Sequence, residues 1–274
     1  MKIGIISGAG SLPFEVAAAC VAQKIPYFMV GLEGFVDQSQ LQAHPCQTVQ
    51  LAHVGAIVEQ CKKQQVTHLV LAGAVKRPSL RALIPDAVGA KWIAQLLPHA
   101  FGDDRLLRGV IQLIESEGFW VLGAEEITGS QLLAPEGHMG GPKADPSLDQ
   151  DVRLAWHVAR GLGDLDVGQA VVVQQGLVLG VEAIEGTEAL IARCQQLQRP
   201  GPGAVLVKVA KRHQDRRVDR PTIGPETLKQ CAAAGFRAVA VEAGQVILLQ
   251  PNICKDVAEQ QSLTLIGVHG DDSA

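Results

Sequence analysis

The chain has 274 residues, 47% of them hydrophobic and only 19% charged, enough to bury one large core or two ordinary ones. A net charge of −4 supplies no basic field and 4% aromatics few stacking faces, which argues against a nucleic-acid partner. The six cysteines (Cys20, Cys46, Cys61, Cys194, Cys231 and Cys254) form no Cys-x-x-Cys pair, so the chain reads as reduced and cytoplasmic, without a zinc site.

Lys2 to Ser7 reads as a buried parallel strand, and the loop from Gly8 to Pro13 leads into an alanine-rich helix over 14–23. A strand over 25–30, a helix over 53–64 and a strand over 68–71 follow. Gly102-Asp103-Asp104 opens a helix that stops at Gly118, and residues 119–122 form another strand. This alternation predicts a doubly wound, Rossmann-like α/β domain over 1–132. Residues 133–146, rich in proline and glycine, read as a linker or a functional loop. A second α/β domain with mixed strands, the catalytic one, is expected over 147–274. Its predicted elements are a helix over 149–161, a hairpin of 170–174 with 177–182 about Gln175-Gly176, and a helix over 187–197. A strand over 203–209, a helix over 225–234, a hairpin of 236–242 with 245–249, a helix over 252–261 and a strand over 263–268 complete it.

The segment from Gln214 to Gly224 is the most informative. Asp215 and Asp219 stand four residues apart among Arg216, Arg217 and Arg220, between the strand ending near Val209 and the helix opening at Pro225. Open sheets place ligands where a strand gives way to a helix. The carboxylates can hold a divalent metal. Lys208, Lys211, Arg216 and Arg217 can hold phosphate oxygens, and this is the equipment for phosphoryl chemistry. The competing reading is a solvated loop with local salt bridges.

Gly8, Gly10 and Ser11 follow a buried strand and precede a helix, as in a phosphate cradle, although a tight turn explains them as well. Pro13 stands where a dinucleotide fingerprint needs a third glycine or alanine, which disfavours a nucleotide-dependent oxidoreductase. Lys76 and Arg77, just past the third strand, read as phosphate-binding or simply exposed. Asp103 and Asp104 read better as helix-capping acids than as metal ligands. His138 reads as a general base or a solvated loop histidine. Glu182, Glu185 and Thr187 follow the first hairpin and are candidates to line the site, as is Thr222. A non-enzymatic lipid or nucleotide carrier is the third alternative, and it leaves the acidic pair without a task.

Five stretches carry a resemblance in order: Ile5–Pro13, Ala72–Pro78, Gly102-Asp103-Asp104, Val181–Thr187, and Asp215-x-Arg217-x-Asp219-x-Pro221-x-Ile223-Gly224. Together they resemble the non-calcineurin family of UDP-2,3-diacylglucosamine pyrophosphatases of lipid A biosynthesis. The resemblance implies a magnesium-dependent hydrolase, with manganese as a substitute. It implies that a lipid-linked UDP-sugar is split into UMP and 2,3-diacylglucosamine 1-phosphate by attack on the phosphorus nearest the sugar. It also implies a homodimer with peripheral contact at the inner membrane. The family's essential aspartate matches Asp219, with Asp215 the second candidate ligand and Arg217 a further catalytic candidate.

Overall fold

The computed structural model describes residues 1–75, 84–97 and 103–269, apart from the side chains of residues 103 and 104. Lys76, Arg77 and Gly102 lie outside the described residues, as do the carboxylates of Asp103 and Asp104. The chain divides into two compact units. The first is Met1–Gly129 with Asp215–Asp219, and the second is Ser130–Gln214 with Arg220–Ala274.

The first unit contains β1 (Ile3–Ser7), α1 (Leu12–Ala22), β2 (Tyr27–Leu32), α2 (Gln38–Leu41), β3 (Cys46–Val49), α3 (Val54–Lys63) and β4 (His68–Ala72). After these come α4 (Ala87–Leu96), α5 (Asp103–Ser116), β5 (Trp120–Leu122) and α6 (Ala124–Thr128). Its five strands are all parallel, in the order β3-β2-β1-β4-β5. Strand residues alternate between two cores. Met29 and Val70 join Val16, Ala17 and Cys20 of α1 on one face, while Phe28, Val30 and Leu69 join Cys61, Trp92 and Ile111 on the other. Helices on both faces make this the expected doubly wound sheet. β3 is a strand that the sequence does not announce, because Gln47 and Thr48 are exposed at the sheet edge and break any apolar run.

The strand order reverses between β1 and β4, and a loop follows each of these two strands. Ala9 N donates to Ala74 O at 2.8 Å, and Ala74 N to Ala9 O at 2.9 Å. Only glycine lets the loops lie this close: a Cβ on Gly8 would stand 2.7 Å from Ala74 O, and one on Gly73 2.6 Å from Ala9 O.

The second unit contains β6 (Gly137–Gly140), α7 (Pro146–Asp164), β7 (Ala170–Gln174), β8 (Leu177–Val181), α8 (Gly186–Gln195), β9 (Val205–Lys208) and β10 (Thr222–Ile223). They are followed by α9 (Pro225–Ala233), β11 (Ala238–Glu242), β12 (Ile247–Leu248), α10 (Pro251–Gln260) and β13 (Thr264–Val268). Its main sheet has the mixed order β6-β13-β11-β9-β7-β8. β9, β11 and β13 run parallel at its centre, flanked by antiparallel β6 and β7. Val171, Val173, Val205 and Val207 pack on α7, and Val172, Leu206, Val239 and Leu265 pack toward α8, α9 and α10.

Two expectations differ from what is observed. The segment 133–146 is not bare linker, since Gly137–Gly140 pairs with β13. Its glycines allow close packing there: a Cβ on Gly141 would stand 2.1 Å from Leu263 O. Asp145 then caps α7 by accepting from Leu148 N at 2.8 Å, with Pro146 opening the helix. The second expected hairpin does not form. β11 lies in the main sheet, whereas Ile247–Leu248 pairs in parallel with β10 in a separate ribbon. The first hairpin forms as expected, with Gln175 and Gly176 at φ 51° and 75°, the geometry of a type I′ turn.

Gly73 carries a positive φ of 90° besides its close contact with Ala9 O. Gly73→Ala is therefore expected to cost at least ~2 kcal/mol, from backbone strain and overpacking together. A thermal melt should show a drop of several degrees, and an unchanged melting temperature would contradict this account of the loop pair.

Candidate functional site

Asp215–Asp219 forms one tight turn, in which Val218 N and Asp219 N both donate to Asp215 O, at 3.1 and 3.0 Å. Asp215 fixes that turn with its own side chain. The Arg217 amide donates to Oδ1 at 3.1 Å, and Arg217 Nε and Nη2 donate to Oδ1 and Oδ2 at 3.0 and 2.8 Å. Arg217 Nη1 reaches Glu115 Oε1 of α5 at 2.9 Å. Val218 packs against the core cluster that contains Ile111 and Ile114 of the same helix. Exposed ion pairs contribute only ~0–1 kcal/mol each, so the apolar anchor at Val218 matters as much as the pair with Glu115.

These contacts change what Asp215 and Arg217 can do. Hydrogen bonds from Arg217 hold the Asp215 carboxyl below the ordinary aspartate range, with smaller help from the charges of Arg217 and Arg108. Both Asp215 oxygens already have a cation, so the carboxylate shapes the turn and is poorly suited to hold a metal. Arg217, expected to meet phosphate, spans two carboxylates instead. Asp219 closes the turn and is half-buried, and Arg216 is exposed upon it. Among the described residues no group of three or more His, Cys, Asp and Glu side chains is placed to hold a metal ion. Magnesium does not need one, because it takes one or two carboxylates and completes its shell with water and substrate phosphates. Asp219 fits that pattern.

The glycine loop is tied to its neighbour through its own backbone. Gly8 gives its N–H to Ala72 O at 2.8 Å rather than offering it to a ligand, so its lack of a side chain serves the approach of the two loops. Gly10 has φ 91° and open space around it. Ser11 stands at the start of α1, but its hydroxyl donates to Glu15 Oε1 at 3.2 Å and caps no backbone donor.

In the second unit the structure brings together four of the expected residues. Lys208 closes β9, and its Nζ donates to Thr187 Oγ1 at 2.8 Å and to Thr222 O at 3.2 Å. Thr187 in turn donates to Glu182 Oε1 at 2.5 Å, and Glu182 Oε2 accepts from Gln169 N at 3.2 Å. Lys208 and Glu182 are 8% and 7% exposed, so a hydroxyl links two buried, opposite charges. Thr222 takes part through its carbonyl, while its hydroxyl donates to Arg220 O. Lys211 lies apart from this network, with Nζ 2.7 Å from Asp166 Oδ1. Glu185 pairs with Arg193. His138 Nε2 lies 3.0 Å from Gly141 O, and its ring serves the turn after β6.

Sequence reading missed a second network at the same sheet edge. Glu242 ends β11 and accepts from Arg160 Nη2 at 2.5 Å and from Ala210 N at 2.8 Å, while Arg160 Nη1 donates to Ala210 O at 2.7 Å. The Arg160 guanidinium lies 4.8 Å from the centre of the Trp156 ring. Together they clamp the backbone just after Lys208. The available signal was a carboxylate closing the apolar run Ala-Val-Ala-Val-Glu, for such a charge is buried only when it has a task.

Removing the hydroxyl of Thr187 separates Lys208 from Glu182. Thr187→Val is expected to destabilise the fold by ~1–3 kcal/mol by leaving buried polar groups short of a partner, and Thr187→Ser to restore it. Urea unfolding would show this, and equal midpoints for both variants would refute the linkage.

Comparison with known proteins follows this division. Residues 2–131 match the LpxI N-terminal domain family, and residues 135–266 match the LpxI C-terminal domain family. Over 274 residues, 97% of each chain, the protein is 38% identical to the UDP-2,3-diacylglucosamine pyrophosphatase LpxI of Caulobacter vibrioides. Two domain matches in order, and identity that runs from end to end, establish that the chain belongs to the LpxI family.

Proposed function

We propose that the protein hydrolyses the diphosphate of UDP-2,3-diacylglucosamine, releasing UMP and 2,3-diacylglucosamine 1-phosphate for lipid A biosynthesis. The observation that carries this reading is the end-to-end similarity to a relative named for that activity. The chemistry of the Asp215–Asp219 turn supports it, because a carboxylate and an exposed arginine stand together on a backbone held in one shape.

Asp219 is the residue proposed to hold magnesium, or manganese in its place, together with phosphate oxygens and water. Such an ion would supply charge to neutralise the diphosphate and would make a bound water a better nucleophile. The protein's own residues supply position and charge. Asp215 and Arg217 keep Asp219 at the end of the turn. Arg216, exposed on the same turn, is proposed to meet the anionic substrate. In the second unit, the bonds from Lys208 to Thr187 and Thr222 hold an ammonium at the carboxyl ends of the parallel strands, where anionic ligands of open sheets bind. A homodimer and peripheral contact with the membrane that holds the acyl chains belong to the same proposal. Among the described residues no helix is long and apolar enough to cross a membrane.

Phosphorus NMR of the protein incubated with magnesium and the substrate should show UMP and the sugar phosphate appearing together. Failure to form UMP would reject the proposal. Asp219→Ala should lose well over a tenfold factor in turnover while remaining folded. Retention of more than about a tenth of the activity, a loss of under ~1.4 kcal/mol, would remove Asp219 from the proposed role. Exhaustive chelation should silence the wild type, with recovery on adding magnesium or manganese, and full activity after chelation would overturn the metal dependence.

A further inference from the structure

We propose that the edge of the first sheet at which its strands begin is a docking face for an anionic lipid surface. For the presence of a membrane this rests on the reading above, in which the substrate is acylated. For the face itself it rests on the first unit alone. Backbone bonds tie this edge together. Ile3 N donates to Pro26 O at 2.9 Å, Thr67 N to Lys2 O at 3.0 Å, and Trp120 N to Thr67 O at 3.1 Å. The edge thus runs unbroken through the starts of β2, β1, β4 and β5. Each helix that leads into one of these strands also ends here. Lys62 and Lys63 lie in the last turn of α3, and Lys24 follows the end of α1. Lys2 Nζ is 3.4 Å from Gln64 Oε1, and Lys62 Nζ is 3.0 Å from Glu117 Oε2, which sets the ends of α3 and α5 beside the strand starts.

Four lysines therefore meet on one edge. The acids near them are Glu117, paired with Lys62, Glu115, engaged by Arg217, and Glu59, one turn back on α3. Apolar side chains stand in water among these cations. Trp120 is 69% exposed, and Val21, in the last turn of α1, is 62% exposed. Val121 packs into the core with Cys61 of α3 and Ile111 of α5, so strand alternation turns Trp120 to the opposite side, where α1 lies on β1 and β4. Lysines at a helix end complement its carbonyls in any protein, and this accounts for Lys62 and Lys63. It accounts neither for Lys2 and Lys24 nor for an indole left in water. An indole among ammonium groups suits a lipid headgroup layer, where the ring settles at the interface and the lysines attract anionic headgroups. A second copy of this chain would bring the same lysines against the same face, so charge favours lipid over self-association.

Flotation of the full chain with phosphatidylcholine vesicles, and with vesicles that also contain phosphatidylglycerol, tests this. Binding is expected to the second set alone, and added salt should release it. Trp92 and Trp156 are buried, so a blue shift of tryptophan emission on adding the anionic vesicles should come from Trp120 and vanish in Trp120→Phe. Lys24→Gln and Lys63→Gln should each weaken binding by about fivefold. Trp120→Ala should weaken it as well, whereas Arg153→Gln, a control for net charge at an exposed position on α7, should not. Equal binding to both vesicle sets, binding to neither, an unmoved emission, or a loss shared equally by Arg153→Gln would overturn the face. So would a Trp120→Ala variant that binds vesicles normally but changes its oligomeric state in sedimentation, which would assign the edge to a contact between copies. Turnover of substrate dispersed in detergent should be unchanged in the lysine variants, since neither residue belongs to the proposed hydrolytic site. Vesicle binding without any turnover would leave the face standing and remove the hydrolase reading, and turnover without vesicle binding would do the opposite.

Discussion

Arg217 closes a fork on Asp215, with Nε and Nη2 on the two carboxylate oxygens, and the same carboxylate accepts the Arg217 amide. A five-residue peptide has no reason to hold one shape, since ordering each residue costs ~1–2 kcal/mol of backbone entropy. Here the side chain of the first residue and the guanidinium of the third impose a turn, and Val218 gives it an apolar foothold in the first unit. The remaining residues inherit their places from that arrangement. Asp219 ends the turn, Arg216 stands exposed on it, and the face of α5 beside it carries Glu115 and Arg108.

The charges of the second unit follow a different logic. Lys208 and Glu242 end neighbouring parallel strands, where Val241 is paired with Lys208. Each is buried, and each is joined to an opposite charge, Lys208 through the Thr187 hydroxyl and Glu242 directly through Arg160. Burying an ion pair is close to neutral for stability, whereas breaking one costs ~3–5 kcal/mol. These networks therefore add little net stability and a great deal of definition. Arg160 and Glu242 together grip both the amide and the carbonyl of Ala210, which fixes the direction in which the chain leaves β9.

Much of the architecture was legible in the residues. Runs such as Ile3–Ser7 and Ala170–Gln174 are apolar on both faces and admit only buried strands, and Gln175-Gly176 specifies its turn by the positive φ it permits. What escaped was non-local. Ile247–Leu248 is too short to show a period, and its partner β10 is just as short, so only tertiary contact makes them a ribbon. Gly137–Gly140 looks like a loop because glycine disfavours strands, and it becomes a strand by pairing with β13, with Gly140 packed closely against Ala258 and Lys255 of α10. The site was read at the level of residue type. Lys208, Glu182 and Thr187 are separate candidates in the sequence and prove to be linked by hydrogen bonds through the Thr187 hydroxyl, whereas Glu185 pairs with Arg193. Whether Asp215 serves a metal or its own neighbour depends on a side-chain direction that residue spacing does not encode. Glu115 lies 102 positions from Arg217, beyond the reach of any local pattern.

The proposed hydrolysis adds water across a phosphoric anhydride, and the family resemblance implies that the new bond forms at the phosphorus nearest the sugar. Turnover in oxygen-18 water tests it most directly, because in-line displacement leaves the water oxygen on the phosphorus attacked. Mass spectrometry of the products should find the heavy oxygen in 2,3-diacylglucosamine 1-phosphate and none in UMP. Label in UMP would move the attack to the nucleotide side of the bridge and contradict the account.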